Sequence, residues 1–405
     1  MDPASINQQS NNQPSENTPP SDLYPKSHHC PECARAEAEA WGRSWVEVDL
    51  AAFRRNVQRV ARRLPPGGRL IISAKKDAYG HGLQAAVKAI EDLPEVGGIG
   101  VATVEEAIAL RRAGARLPIL SFSVFEGEAL AEAIRRQVTL TVTSLHDATQ
   151  AERMAAVLQT TARAHFKLDT GMGRIGHLND EVAQDIPAIL ALPRLRLEAI
   201  FSHLADGWDD PASAHAQAAR MLDFRRRAGL ENLLCHWGGS DALALAEIQS
   251  PNTWLRSGIA LYGDHPAIAD LEPVMTFKTR VVYRRSVPAG TAISYGGTFR
   301  TTRPTELAMV GAGYGNGLLR ALSGRGWALI HGRRCPFLGR VCMDQVVVDV
   351  TDLPGEVRMG EEAVLFGRQG EAILPAAEMA LQAGTISYEL FCLAGQLNPR
   401  VYVNG

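Results

Sequence analysis

The chemistry of this chain is written at strand ends. An apolar run, Leu70-Ile71-Ile72, reads as a buried strand that runs out on Lys75 and breaks into Asp77-Ala78-Tyr79-Gly80-His81-Gly82. A lysine at the carboxyl end of a barrel strand points into the barrel mouth, where such folds place their chemistry. Partly desolvated there, it is a neutral amine able to attack an aldehyde; on position alone it could equally snorkel to water. A second basic strand end opens Lys167-Leu168-Asp169-Thr170-Gly171-Met172-Gly173-Arg174-Ile175-Gly176, readable also as an ordinary Gly-rich loop with two surface cations. His203 ends a third apolar run, where a lone histidine is often only a core residue. Phosphate needs backbone N–H groups and hydroxyls, and two stretches offer them. One is His236-Trp237-Gly238-Gly239-Ser240-Asp241-Ala242, with Ser240 as hydroxyl donor; the other is Arg256-Ser257-Gly258-Ile259, with the N–H groups of Gly258 and Ile259.

The elements that must position these groups alternate in type. Strand-like runs fall at 69–75, 97–103, 118–123, 138–143, 163–169, 196–203, 232–237 and 253–262, with helical patterns between most of them. One such helix starts after Ser144, an N-cap residue, and puts Ala148, Ala151, Ala155 and Leu158 on one face. Eight strands with interposed helices predict a parallel (β/α)8 barrel over residues 44–273; an open doubly wound sheet fits the same periodicity. Over 274–405 the texture changes to Val-rich runs with hairpin signals, a helical stretch at 374–394 and a last strand at 400–403, which predicts a mostly-β C-terminal domain. The strand at 44–50 is expected to join that β domain.

Together these motifs resemble the alanine racemases, in collinear order from about Trp45 to Val403. Lys75 and the loop after it are similar to the family's pyridoxal 5'-phosphate lysine segment, with Tyr79 beside the cofactor. The resemblance implies that Lys167 is carbamylated and holds Arg174 near the cofactor, and that His203 lies by the cofactor ring. Ser240, Gly258, Ile259 and Tyr388 would take the phosphate, and Arg256 would face the pyridine nitrogen. Tyr295, in Ser294-Tyr295-Gly296-Gly297, would be the second base; Met343 and Asp344, in Val341-Cys342-Met343-Asp344, would reach the substrate carboxylate. In the family both segments enter the partner subunit's site, so a homodimer is implied. Two departures stand out. Lys76 replaces a small residue, and Gly313-Tyr314-Gly315-Asn316-Gly317-Leu318-Leu319-Arg320 carries Asn for Asp and Leu-Leu for Tyr-Pro in a stretch that lines the family's access corridor.

An arginine facing the pyridine nitrogen does not give up its proton, so the nitrogen stays unprotonated and the ring is a weaker electron sink than one held by a carboxylate. Reprotonation at Cα is then favoured over transamination. The expectation is a racemase interconverting L- and D-alanine through two bases, Lys75 on the D face and Tyr295 on the L face. A phenol, with an ordinary pKa of about 10, would need cationic neighbours for that work, and His203 and Arg256 are the candidates. Alternatives are a serine or broad-specificity racemase of the same fold, a decarboxylase of the same barrel class (which would want a carboxylate where Arg256 stands), and a non-enzymatic cofactor-carrier barrel (which would lack the β domain and second base).

Composition excludes other classes. A net charge of −2 argues against a nucleic-acid or anionic-membrane partner, and no apolar run reaches the length of a membrane span. The Asn/Gln/Ser/Pro-rich stretch within 1–43 has no secretory pattern and reads as a disordered tail. Six cysteines read as free thiols in a cytoplasmic protein. The tail's His28-His29-Cys30-Pro31-Glu32-Cys33 lacks the further ligands of a closed site, so no metal is expected.

Overall fold

The computed structural model describes residues 42–125, 127–177, 181–207, 209–244, 253–266 and 268–405; the tail through Trp41, with Cys30 and Cys33, lies outside them. The first strand, β1 (Ser44–Asp49), leads through the helix Leu50–Ala61 into the barrel. Eight short strands then close in parallel order: β2 (Leu70–Ser73), β3 (Val96–Val101), β4 (Ile119–Ser121), β5 (Val138–Val142), β6 (Ala162–Lys167), β7 (Leu195–His203), β8 (Leu234–Gly238) and β9 (Thr253–Ser257). The closed barrel, not the open sheet, is the architecture. Some of the helices between strands start where the sequence supplies a cap: Ser144 Oγ accepts the Asp147 N–H at 3.2 Å at the head of Leu145–Val157.

Period-two alternation sorts the strand residues. Leu70, Ile72, Leu140, Val142, Ala164, Phe166, Cys235 and Trp237 join one apolar cluster with the surrounding helices. Their neighbours face the barrel interior, and that interior is polar: Arg163, His165 and Lys167 stack up β6, with His236 on β8 and Arg256 on β9. Barrels are usually filled by branched apolar side chains, so this column is a signal of function.

Two strand ends fall short of the sequence expectation. β9 stops at Ser257, because Gly258 (φ −124°, ψ −98°) turns the chain into the tight turn Ile259–Tyr262. β2 stops at Ser73, so strand alternation does not govern Lys75 and Lys76. Instead Lys76, Asp77, Ala78 and Tyr79 all adopt left-handed backbone, with φ of 53° to 56°.

The C-terminal sheet is organised on β10 (Met275–Val287). Beyond it come the small hairpin β11 (Ala292–Ile293) and β12 (Phe299–Arg300), then β13 (Thr305–Val310), β14 (Trp327–Ile330), β15 (Arg333–Pro336), β16 (Val346–Asp349), β17 (Glu362–Gln369), β18 (Ala372–Leu374) and β19 (Arg400–Val403). β10 pairs antiparallel with β1, β13 and β17, and β1 pairs parallel with β19. The first and last strands of the described chain are thus neighbours in one sheet. The helical stretch near 374–394 is two helices, Ala376–Ala383 and Ser387–Leu397, parted by Gly384 at φ +73°. Among the described residues no helix is long and apolar enough to cross a membrane.

The helix Ser387–Leu397 presses on the left-handed turn of the barrel. A Cβ on Gly395 would fall 2.0 Å from the carbonyl oxygen of Gly80. Gly395→Ala must therefore move backbone against backbone, and we expect it to cost about 1–3 kcal/mol in chemical denaturation. Gly114→Ala, at φ +92° with nothing within 4 Å, carries only the left-handed strain of about 1–2 kcal/mol. Unlike that surface control, Gly395→Ala should also disturb the residues around Lys75, read as a changed hydrogen-exchange rate over 75–82.

Candidate active site

Four successive non-glycine residues in left-handed backbone cost roughly 1–2 kcal/mol each, so the turn after Lys75 must be held from outside. Side chains from several elements do this. Asp77, with its side chain 6% exposed, pairs with Arg400 of β19, 5% exposed, and its other oxygen accepts the Leu83 N–H at 2.7 Å. Arg400 also donates to the Gly80 carbonyl at 3.3 Å. His81 donates from Nδ1 to the carbonyls of Ala78 (2.9 Å) and Tyr79 (3.0 Å). Glu106 accepts the Lys76 N–H at 2.7 Å, and the Tyr262 hydroxyl donates to the Ser73 carbonyl at 3.0 Å. The outcome separates the two lysines. Lys76 is exposed, whereas Lys75 is half-buried with Nζ 5.9 Å from the Tyr79 ring.

Arg256 is the electrostatic centre of the mouth. It is buried, and among the described residues no carboxylate pairs with it. Its donors go to the His236 carbonyl at 2.9 Å, His236 Nδ1 at 2.6 Å and the Ser202 carbonyl, and its guanidinium lies 4.8 Å from the Phe201 ring centre. Burial first, then Arg174, lowers its pKa to about 9, so it remains a cation at neutral pH. His203 Nδ1 lies 3.5 Å from Nη2 of Arg256. The backbone permits this approach because position 238 is glycine: a Cβ there would sit 1.9 Å from His203 Nδ1.

Burial, with that positive charge behind it, sets the neighbours' protonation. Burial and then Arg174 lower the Lys75 pKa from its ordinary value. Burial and then Arg256 bring Lys167 down to about 8. The same causes bring His203 down to about 2, so His203 is neutral and is not a cation available to activate a phenol, contrary to the expectation from sequence. Arg174, which is exposed, contributes repulsion at Lys75, Lys167 and His203, and this places its charge among theirs. Its loop is shaped by Asp169, whose carboxylate accepts the N–H groups of Gly171 (2.9 Å), Met172 (2.8 Å) and Arg174 (2.8 Å).

A few residues away the lining changes to hydroxyls. Ser240 Oγ and Ser257 Oγ are 2.8 Å apart, and Gly258 and Ile259 start the turn after β9. Tyr79 is buried with its hydroxyl 3.2 Å from Ser73 Oγ, and burial pushes its pKa up to about 12. The Tyr388 ring stands 5.5 Å from it, and burial raises that phenol also. The structure therefore gathers Lys75, Tyr79, Lys167, Arg174, His203, Ser240, Arg256, Gly258, Ile259 and Tyr388 at one end of the barrel.

Tyr295, Met343 and Asp344 belong to a different surface. Tyr295 lies in the β11–β12 hairpin and is 69% exposed; Met343 is also exposed. The patch is tied internally, by Ser294 Oγ donating to the Arg340 carbonyl (2.7 Å) and by the Gly315 N–H donating to the Met343 carbonyl (2.8 Å). The unusual corridor residues are only partly on it. Leu318 is buried in the β-domain core, and Asn316 is fixed by the Gly313 N–H at 3.2 Å and by Ser44 Oγ at 3.1 Å.

Sequence reasoning missed His165 and His236 inside the barrel, and the Asp77–Arg400 pair. A histidine two residues before Gly238, facing the same way as Arg256 on the next strand, was the available sign for His236.

A closed barrel whose mouth carries an amine of lowered pKa, an unpaired buried guanidinium and a hydroxyl-lined recess is a site for an anionic aldehyde cofactor. Comparison with known proteins identifies which kind. Residues 48–266 match the alanine racemase N-terminal domain and residues 274–402 the alanine racemase C-terminal domain. The alanine racemase of Syntrophobacter fumaroxidans is 39% identical over 89% of this chain and 98% of its own length. The alanine racemase of Desulfosudis oleivorans is 37% identical over 89% and 97%. Among solved structures, alanine racemase from D-cycloserine-producing Streptomyces lavendulae superposes with a TM-score of 0.81 at 33% identity, covering 90% of this chain and 97% of its own. That of E. faecalis gives 0.80 at 32%, covering 90% and 99%. The chain belongs to the alanine racemase family, whose cofactor is pyridoxal 5'-phosphate.

Arg400 lies far from Lys75 in sequence yet braces the turn that carries it. Arg400→Met leaves the Asp77 carboxylate buried and unpaired, for which we expect about 3–5 kcal/mol of lost stability. Asp77→Asn with Arg400→Met should recover part of that loss in thermal unfolding; no recovery in the double variant would mean the pair does not brace the turn.

Proposed function

We propose that this protein interconverts L- and D-alanine as a cytoplasmic homodimer with pyridoxal 5'-phosphate on Lys75. The observation that carries the reading is Arg256, a buried cation without a carboxylate partner among the described residues, beside a lysine held below its ordinary pKa. When bound, the cofactor weakens the Cα–H bond of an attached amino acid by drawing electron density into its ring. The chain's residues then divide the remaining work. Arg256 faces the ring nitrogen as a donor that keeps its proton, which limits that withdrawal and favours return of a proton to Cα. Ser240, the N–H groups of Gly258 and Ile259, and Tyr388 hold the phosphate, while Tyr79 and His203 flank the cofactor. Arg174, Met343 and Asp344 orient the substrate carboxylate. Lys75 takes and returns the Cα proton on the D face.

Tyr295 serves the other face, and it does so in the partner subunit's site. Its exposure, and the exposed Met343 and Tyr314 beside it, support an interface there. Arrival from a second subunit also solves a geometric problem, because two fixed bases on opposite faces need no reorganisation between proton removal and return.

The test is Tyr295→Phe in deuterated buffer. Racemisation should collapse while Lys75 still exchanges the Cα proton of D-alanine for deuterium. Mixed in equal amounts with inactive Lys75→Ala subunits, this variant should regain up to about a quarter of wild-type activity, because random reassortment makes about half of the dimers mixed and half of the sites in a mixed dimer have both bases intact. Racemisation close to the wild-type rate in Tyr295→Phe, or no regain on mixing, overturns the shared two-base site.

Lys167, at a pKa of about 8 beside Arg256 and Arg174, has a neutral fraction of about a tenth at pH 7, the form that adds CO2. A carbamate there converts a third cation into an anion that Arg174 can grip. At fixed CO2 pressure its occupancy should rise as pH climbs through 8. 13C NMR of the holoenzyme under 13CO2 should show a carbamate signal that Lys167→Arg removes; persistence of that signal in the variant counts against the assignment.

A further inference from the structure

Beneath Arg256 the barrel holds two histidines that the reaction above does not use. Arg256 Nη1 is 2.6 Å from His236 Nδ1, and His236 Nε2 is 2.9 Å from His165 Nδ1. The direction of every proton along this row is set by its first member. A guanidinium has donors only, so His236 Nδ1 accepts. The neutral ring's proton is then on Nε2, where it donates to His165 Nδ1, and His165 in turn carries its proton on Nε2. Both rings are buried beside fixed positive charge, Arg256 above and Arg163 below, which keeps them neutral. His236 is also stacked on Phe201, with ring centres 4.6 Å apart and planes 11° from parallel. Within that stack the remaining freedom is a flip about its own axis, which would replace Nδ1 by carbon against Arg256. On the far side of the ring, the hydrogen bond to His165 opposes the flip. The lower side of His165 lines a small cavity of about 100 Å³ at the barrel floor, with Arg163, Glu198 and Trp254.

We propose that His165 is a positioning residue for racemisation: by accepting from His236 it locks the flip of that ring, whose tautomer Arg256 dictates, and so fixes how Arg256 presents its donors to the cofactor ring. The proposal rests on the reading that Arg256 faces the pyridine nitrogen. With the acceptor removed, the His236 Nε2–H is buried without a partner, and the ring gains by turning away from Arg256. The guanidinium then keeps the carbonyls of His236 and Ser202 but loses the imidazole acceptor beneath it, and its grip on the ring nitrogen loosens. Because that grip is what holds electron withdrawal in check, the predicted symptom is a change of reaction outcome as well as of rate.

The experiment is solid-state 15N NMR of the holoenzyme, once with labelled histidine and once with cofactor labelled at the pyridine nitrogen, in wild type, His165→Phe, His165→Asn and Arg256→Lys. Wild type should show His165 and His236 neutral with the proton on Nε2. His165→Phe should shift the pyridine resonance and lower the ratio of racemisation to transamination about tenfold. His165→Asn, whose Oδ1 can replace Nδ1 as acceptor, should keep both within about twofold of wild type. A His236 that is cationic or protonated on Nδ1 in wild type overturns the proposal, and this result is independent of whether any variant folds. So does a His165→Phe enzyme with unmoved resonance and ratio where Arg256→Lys moves them. If Arg256→Lys also leaves the pyridine resonance unmoved, Arg256 is not at the ring nitrogen and the proposal falls with that reading; correct histidine tautomers would distinguish this failure from the first.

Discussion

A buried guanidinium without a carboxylate governs this molecule. Removing a cation from water costs several kcal/mol, and here nothing anionic in the described chain returns it. Arg256 is instead held by carbonyls of Ser202 and His236, by an imidazole lone pair and by an aromatic face. Such contacts satisfy its donors but leave its charge uncancelled. The field must then be met by the neighbours, which give up charge of their own. For Lys167 the shift from 10.5 to about 8 corresponds to roughly 3 kcal/mol of differential interaction, supplied first by burial and then by Arg256. Lys75 moves the same way through burial and then Arg174, and His203 through burial and then Arg256. A mouth left electropositive in this manner is prepared for a ligand carrying phosphate, and a neutral lysine is the form that such a ligand's aldehyde requires.

The second constraint is mechanical. Left-handed backbone over residues 76–79 turns Lys75 off the line of β2 and into the mouth while Lys76 goes to solvent. None of those residues is glycine, so the conformation is unfavourable by itself and persists because surrounding groups fix it. Arg400 and the helix Ser387–Leu397 both belong to the C-terminal domain. The domain that presents Tyr295 outward thus also braces the barrel's lysine from within. That double duty gives a physical reason for the first and last strands to share a sheet: β1 and β19 tie the barrel's entrance to the segment carrying Arg400.

Much of this was legible in the sequence. Each barrel strand announced itself as a short apolar run, since residues facing the helices must be apolar whatever the interior holds. The motifs at Lys75, Lys167, His203 and Arg256 were legible because chemistry clusters at strand ends, where a small number of neighbouring residues carries the signal. What stayed hidden depends on partners distant in sequence. Nothing around Asp77 indicates that Arg400, over 300 residues away, is its partner. The left-handed turn was likewise invisible, because Lys-Asp-Ala-Tyr has no residue that favours positive φ strongly enough to show it. His203 was offered as a cationic neighbour, but its protonation is decided first by burial and then by Arg256 on another strand, both properties of the fold and not of the motif.

The polar column inside the barrel ties these strands together. A sequence that puts Arg163, His165 and Lys167 at alternate positions of one strand looks like a solvent-facing edge, with charge on one side and apolar Ala164 and Phe166 on the other. In a closed barrel the same alternation points inward, and the buried members, His165 and Lys167, must be held without water. Arg163 finds Glu198 at the floor, His165 finds His236 in the middle, and Lys167 lies at the mouth beside Arg256. Charge is therefore neutralised at the bottom, absent from the two neutral imidazoles at the centre, and left uncompensated at the top. An apolar filling would make a more stable barrel, but it could not hold a guanidinium upright at the mouth with its donors pointed one way. The polarity of the interior is the support that a buried, unpaired cation requires.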